Sequence, residues 1–310
     1  MRIFREYDNL PAFKNCILTI GSFDGVHKGH QKILQRMAAL SSQLSGDTVL
    51  ITFDPHPRTL LDPNNSPRLL SPLSEKLALL EQYDVQNVVV VKFDAQFANQ
   101  SANDYINRFL IPHFLPMHII IGYDHRYGKN REGGLELLLE KSRDGGFVVE
   151  EIPKQLVDDI EVSSTKIRKA LAEGNIDTAN QLLGYSYTLE GVVKKGRQIG
   201  RSIGFPTANI ALHSSDKLLP ANGVYAIMAG HGNQICKGML NIGIRPTFEE
   251  QVQLSIEANL FNFESDIYEE PISVELIKYL RSEKKFENIE ALRQQLEQDK
   301  IASLYALSNV

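Results

Sequence analysis

Ile17-Leu18-Thr19-Ile20-Gly21-Ser22-Phe23-Asp24-Gly25-Val26-His27-Lys28-Gly29-His30-Gln31 decides how the first half of the chain is read. Four apolar or β-favouring residues break at a glycine, cross a short turn closed by a second glycine, and enter a segment where Ile33, Leu34, Met37 and Leu40 recur at helical spacing. The order is strand, tight turn, helix start, so His27 and His30 fall at the amino end of an amphipathic helix. Unpaired backbone N–H groups and the positive end of the helix dipole make that place a receptor for phosphate, and imidazoles can add further donors. Gly29 carries no Cβ and lets the backbone approach a ligand, while His27 and His30, three apart, share one face. A His-x-x-His pair by itself suits packing or capping equally well; the strand and the Gly-x-Phe-Asp-Gly turn in front of it favour the phosphate reading.

Length and charge bound the rest. A chain of 310 residues is long enough for two domains, and 43% hydrophobic with 23% charged residues describes an ordinary globular protein rather than a disordered one. A net charge of −5 argues against a dedicated nucleic-acid binder, which needs surplus cations to displace counterions. Residues 1–8 lack an apolar signal-peptide core and no later window is long enough to span a bilayer, so the expectation is a cytoplasmic protein without membrane contact. Cys16 and Cys236 are far apart and outside any metal-ligand spacing, which leaves them as small apolar residues.

Residues 1–183 alternate strand and helix. Residues 48–53 read as a strand, 73–83 as a helix, 87–93 as a strand apolar on both faces, 101 onward as a helix opened by Ser101 and Asp104, 118–122 as a buried strand, 135–143 as a helix stopped at Gly145-Gly146, and 147–152 as a strand. Repeated β-α alternation predicts an α/β fold with a doubly wound parallel sheet, whose ligands sit beyond the carboxyl ends of the strands. Three polar segments follow strands accordingly. Thr52-Phe53-Asp54-Pro55-His56-Pro57-Arg58 is held extended by two prolines. Gly122-Tyr123-Asp124-His125-Arg126-Tyr127-Gly128-Lys129-Asn130-Arg131 mixes aromatics with cations, which suits a planar ring joined to phosphates. Ser163-Ser164-Thr165-Lys166-Ile167-Arg168 sets hydroxyls and cations at another helix start. A rigid loop, a solvated basic loop and an ordinary helix cap are the plain alternatives for these three.

The His27-Lys28-Gly29-His30 run resembles the His-x-Gly-His signature of the nucleotidyltransferase superfamily. With the three polar segments, it resembles more closely the amino-terminal half of the bacterial bifunctional riboflavin kinase and FMN adenylyltransferase family, the FAD synthetases. Ser22 stands where that family often has Asn, and residues 123–127 replace a more common Asp-Phe-Arg-Phe run. The resemblance implies that an FMN phosphate attacks the α-phosphate of ATP and pyrophosphate leaves. It further implies that His27, His30 and Arg168 carry transition-state charge, that Gly21, Phe23, Gly29, Ser164 and Thr165 bind ATP, and that Asp54, Asp124 and Arg126 contact flavin.

Near Leu183-Gly184-Tyr185 the character changes. Segments 188–193, 223–228, 235–242, 254–261 and 272–280 read as short strands without intervening helices, predicting a closed antiparallel barrel over 184–310, with one helix from about 288 to 299 packed across it. Gly196, Gly200 and Gly204 are four apart among Lys194, Lys195, Arg197 and Arg201, a pattern that lets backbone and cations meet a polyphosphate and that also fits a plain basic turn. Thr207 and Asn209, two apart on an extended segment, offer two neutral oxygens on one side, enough for a magnesium ion that takes its other ligands from phosphates and water. No Walker A loop or protein-kinase motif set occurs.

Residues 205–209, 220–226, 241–248 and 280–286 are similar to the riboflavin kinase domain, so the resemblance runs from about residue 12 to 300. It implies that Glu257 is the general base, that Gly196, Arg197, Gly200 and Gly204 bind ATP, that Thr207 and Asn209 hold Mg2+, and that Arg281 binds flavin. Strand alternation agrees with the first of these: Leu254, Ile256, Ala258 and Leu260 form an apolar face and leave Glu257 opposite, where a solvated glutamate would look the same. The small-molecule substrates implied are riboflavin, FMN and ATP. Two rivals stand beside this reading: a nucleotidyltransferase acting on phosphopantetheine or nicotinate mononucleotide with a structural barrel, or a barrel that binds nucleic acid or senses flavin through Lys194, Lys195, Arg197 and Arg201.

Overall fold

The computed structural model describes residues 1–157, 160–196, 200, 203–246 and 252–308. By contacts the chain forms two compact units, Met1–Ser164 and Thr165–Val310. The first holds β1 (Arg2–Phe4), β2 (Ile17–Ile20), α1 (Lys28–Leu44), β3 (Thr48–Asp54), the short α2 (Pro57–Leu61), α3 (Leu73–Glu81), β4 (Asn87–Lys92) and α4 (Ala95–Ala98). Next come α5 (Ala102–Asp104), a π-helical turn over Tyr105–Leu110, α6 (Ile111–Phe114), β5 (His118–Gly122), α7 (Leu135–Gly145), β6 (Val148–Ile152) and the paired β7 (Leu156–Val157) and β8 (Ile160–Glu161).

Strands β1 to β6 form one parallel sheet in the order β1-β4-β3-β2-β5-β6. Successive side chains of a strand point to opposite faces, and here both faces are apolar. Leu18, Ile20, Val49, Ile51, Val89, Val91, Ile119 and Ile121 pack with Phe97, Phe109 and Leu138 on one side. Ile17, Leu50, Val88, Val90 and Ile120 pack with Ile33, Leu34, Met37 and Leu40 of α1 and Leu80 of α3 on the other. Burying each such side chain stabilises the unit by roughly 1.5–3 kcal/mol. The helix expected after Ser101 is interrupted by the π turn just before Pro112. Proline cannot donate to the carbonyl of Arg108 and its ring crowds that oxygen, so the wider turn relieves a contact an α-helix would force.

The second unit opens with α8 (Ser164–Ala172, whose first residue belongs to the first unit) and α9 (Ile176–Leu183), then β9 (Thr188–Lys194), β10 (Ala208–Leu212), β11 (Gly223–His231), β12 (Gln234–Pro246), β13 (Val252–Leu260), β14 (Pro271–Arg281) and α10 (Ile289–Ala306). The six strands close into an antiparallel barrel in the order β10-β13-β12-β11-β14-β9, with β9 pairing back onto β10. Helices α8 and α9 are tied to it: Ala221 N–H donates to Leu171 O over 2.9 Å and Asn180 Nδ2 to Leu276 O over 2.9 Å. The α/β sheet, the barrel and its carboxyl-terminal helix match the expected architecture. Strands β1 and β10 were not anticipated; both are short, and the turn signals around Pro206 conceal the second. Helix α10 runs further than expected, to Ala306, and Leu296 packs from it on Phe205, Val224, Met239 and Phe261.

Candidate active sites

Strand order decides where the first site lies. From β2 the chain steps through β3 to β4 in one direction, then returns to place β5 on the other side of β2. The order therefore reverses between β2 and β5, and the region beyond their carboxyl ends is where such sheets bind ligands. The turn after β2 and the loop after β5 border it; a Cβ on Gly122 would lie 3.7 Å from both Asp124 Oδ1 and Ile33 Cδ1 of α1.

The turn after β2 has an unusual backbone. Phe23 (φ +48°), Gly25 (+80°) and Val26 (+34°) are all left-handed, a conformation that non-glycine residues hold only when their surroundings impose it. Asp24, buried, accepts from Leu70 N–H at 3.2 Å and Ser71 N–H at 3.0 Å; Gly25 N–H donates to Ser71 Oγ at 2.7 Å. Ser164 Oγ, at the start of α8, donates to Asp24 O over 3.1 Å. His27 caps α1, its Nδ1 accepting a long 3.4 Å bond from His30 N–H. Its ring stacks on His30 with centroids 3.7 Å apart and planes 11° from parallel, and Phe23 lies 4.7 Å from His30 on another side.

Burial first, then the neighbouring His27 and then Lys76, hold the His30 imidazole well below the usual histidine range, so it is neutral at pH 7. Its Nδ1 is buried with no partner among the described residues. A Cβ on Gly29 would press the His27 ring at 3.2 Å, so the missing side chain also leaves room for the imidazole stack. Gly21 is similar, since its Cβ would meet the Phe23 ring at 3.1 Å.

Of the other residues expected at this site, Asp54 closes β3 and is exposed, and Asp124 and Arg126 lie exposed in the loop after β5, the Arg126 guanidinium lying against Gly134. Thr165 and Arg168 sit on α8 in the second unit, Arg168 one turn beyond Ser164. His125 is a surprise: burial, and secondarily Arg131, push its pKa down to about 4, and its Nε2 is buried without a partner among the described residues. Thr52, named above only as the start of the 52–58 segment, and Lys76, within the helix expected over 73–83, lie beneath the turn and were not anticipated as site residues.

The barrel holds the second site. A cavity of about 320 Å³ is lined by Gly200, Thr207, Asn241, Glu257, Asn259 and Arg281, with Phe205, Val224, Met239, Leu292 and Leu296 as its apolar wall. Register explains the clustering. Asn209 on β10 and Asn241 on β12 both pair with Glu257 on β13, so three polar side chains from adjacent strands share one face. Thr207 Oγ1 lies 3.4 Å from Glu257 Oε2, and Asn259 Nδ2 holds the Pro206 carbonyl at 2.7 Å. The face opposite Ala258 is thus the wall of a cavity and not bulk solvent.

Arg281 is engaged by Asp299 of α10 through two bonds of 2.8 and 2.6 Å, which the sequence did not reveal because the partners come from different elements. A second cavity of about 120 Å³ lies between Val193, Ala208, Ala258, Leu260, Phe263 and Tyr268, and Thr207 lines both. Gly196 lies against the Asn209 amide, Gly200 against the Phe205 carbonyl, and Gly204 takes φ +86°. Arg197 and Arg201 lie outside the described residues. Of the basic patch, Lys194 is paired with Glu269 at 2.5 Å and Lys195 lies 5.6 Å over the Tyr268 ring.

Comparison with known proteins bears on both units. The FAD synthetase family model matches residues 10–166 and the riboflavin kinase model residues 183–306. The bifunctional riboflavin kinase/FMN adenylyltransferase of Bacillus subtilis is 37% identical over 299 residues, covering 95% of this chain and 93% of its own. The Haemophilus influenzae protein of that name is 38% identical over 301 residues, covering 96% and 97%; that of Escherichia coli K12 is 34% identical over 306, covering 98% and 97%. A solved structure named macrolide-efflux protein from Streptococcus pneumoniae superposes with a TM-score of 0.88 over 97% of each chain at 27% identity. No helix among the described residues is long and apolar enough to cross a membrane.

Proposed function

The chain belongs to the bifunctional riboflavin kinase/FMN adenylyltransferase family, and from that premise we propose how its two units divide the chemistry of making FAD. The protein phosphorylates riboflavin to FMN and adenylylates FMN to FAD, using ATP in both steps. In the barrel, the Glu257 carboxylate takes the proton from the riboflavin 5′-hydroxyl as that oxygen attacks the γ-phosphorus of ATP and ADP departs. The larger cavity, with its apolar wall and Arg281, suits the flavin; the smaller suits the adenine; Thr207, lining both, marks where the transferred phosphate passes.

Two neutral oxygens, Thr207 Oγ and Asn209 Oδ, beside one carboxylate form a donor set that fits Mg2+, which keeps water and phosphate ligands; no group of three or more His, Cys, Asp or Glu that could hold a metal is present among the described residues. When bound, the ion neutralises charge on the phosphates. Thr207 and Asn209 would hold it, and Gly196, Arg197, Gly200 and Gly204 are assigned to bind the triphosphate.

In residues 1–183 the FMN phosphate attacks the α-phosphorus of a second ATP and pyrophosphate leaves. His27 and His30 donate to the phosphate oxygens as hydrogen-bond donors and Arg168 supplies positive charge, with Gly21, Phe23, Gly29, Ser164 and Thr165 assigned to ATP and Asp54, Asp124 and Arg126 to the flavin. Neither step needs a covalent enzyme intermediate, so positioning and electrostatics supply the rate. The observation that carries the assignment is the convergence of Thr207, Asn209 and Glu257 on one barrel face. Purified protein given riboflavin and Mg-ATP should form FMN, then FAD with pyrophosphate, by chromatography; absence of FMN overturns the kinase assignment, and FMN without FAD overturns the adenylyl-transfer assignment.

A further inference from the structure

Lys76 lies on α3 beneath the turn after β2 and is only 5% exposed, a place where an unbranched apolar side chain would pack without desolvating a charge. Its ammonium donates to Thr52 Oγ1 over 3.2 Å. Thr52, fully buried on β3, has one hydroxyl proton and spends it on the Ser22 carbonyl, 3.1 Å away, so it can only accept from Lys76. The direction of the chain of bonds is therefore fixed: Lys76 to Thr52 to the Ser22 oxygen.

That carbonyl shares a planar trans peptide with the Phe23 N–H, and the two point opposite ways. With the Ser22 oxygen held by Thr52, the N–H points the opposite way, in a residue already held at φ +48°. Among the described residues nothing accepts from Phe23 N–H. A peptide whose carbonyl accepts a hydrogen bond is polarised, which makes its N–H a stronger donor, and a buried cation at the end of the relay adds to this. Asp24, Asp54 and His30 are the charged or titratable groups whose fields couple to Lys76.

We propose that Lys76 is a positioning residue for adenylyl transfer: relayed through Thr52, its ammonium holds the Ser22–Phe23 peptide so that the Phe23 N–H is aimed at the phosphate under attack. The inference rests on the reading of this turn as the ATP site. Burial brings the ammonium down to about 8, against the opposing pull of Asp24 and Asp54, so it remains charged at pH 7. The relay acts on charge that grows in the transition state, and its loss should appear in kcat more than in the KM for ATP.

The test uses the full chain with Lys76→Met, Thr52→Val and the double variant, assayed with FMN and Mg-ATP. Each single variant should lower kcat for FAD formation by about tenfold, less than the 10²–10³ typical of deleting an oxyanion donor outright. The KM for ATP should move by less than about threefold, and the double variant should be no worse than the poorer single one, since both cut the same relay. Unchanged kcat in Thr52→Val, or losses that multiply in the double variant, overturns the relay. If Lys76→Met does not fold, the near-isosteric Thr52→Val decides by the same kcat criterion. His30→Ala separates the two levels: if it abolishes FAD formation while the relay variants are unaffected, only the relay fails; if it leaves FAD formation intact, the reading of the turn itself fails.

Discussion

On the proposed reading, the turn after β2 and the cavity in the barrel answer the same demand, to meet phosphate, with opposite construction. In the turn the groups come from one contiguous run, residues 21–30, whose left-handed Phe23, Gly25 and Val26 are held by bonds to Ser71, Leu70 and Thr52. In the cavity no two key groups need be neighbours: Thr207 meets Glu257 across 50 residues, and Asn209, Glu257 and Asn241 share a face only because three strands pair in that register. A contiguous site leaves a motif; a register-built site leaves scattered residues. The first can be damaged by one change in a loop, the second by anything that shifts a strand.

The sharpest way to break this comparison is to disable one site and ask whether the other notices. Glu257→Gln keeps size and register but removes the base, and FMN formation should fall by roughly 10²–10⁴ while added FMN is still converted to FAD. His30→Ala should do the reverse. FAD formation drops by about 10²–10³, or 3–4 kcal/mol of barrier, and FMN accumulates in a riboflavin assay. If either substitution silences both reactions in folded protein, the two sites are not separate.

Next in size is the clasp between α10 and the barrel. Asp299→Ala leaves Arg281 partly buried without its partner. Cutting a fully buried pair costs 3–5 kcal/mol, and since the Arg281 side chain is 22% exposed a loss of about 2 kcal/mol is expected in urea unfolding, with a raised KM for riboflavin. An unchanged midpoint would show that α10 does not depend on this pair.

The smallest effect should come from the loop after β5. The unfolded chain protonates His125 near 6.5, whereas in the folded chain burial holds it to about 4. The unfolded state therefore binds more protons between those values, and stability present above about 6.5 is lost as pH falls toward 4. His125→Phe should flatten that part of a melting-temperature profile; an unaltered acid slope would assign the loss to other groups.

What could be read in advance follows the same division. Strands β2 to β6 and helix α1 were legible because two-sided apolar runs and a helical stripe are local patterns, and the turn after β2 because glycines bracket it. The Arg281–Asp299 pair, the Lys76–Thr52–Ser22 relay and the Gly29–His27 contact were not. Each joins elements, or fills a space, whose meeting no spacing along the chain encodes. Strand alternation set Glu257 opposite Ile256 and Ala258 but could not tell a solvated face from a cavity wall, since both put a polar residue at every second position.

The sequence by itself determined the class of fold in each half, the position of the imidazole pair at a helix start and the family resemblance, because periodicity and short motifs act over a few residues. Tertiary structure alone decided which carboxylate faces a cavity, which cation is paired and which buried ammonium meets a hydroxyl. Those depend on strand order, register and burial, and burial is a property of what packs around a residue rather than of the residues beside it in the chain.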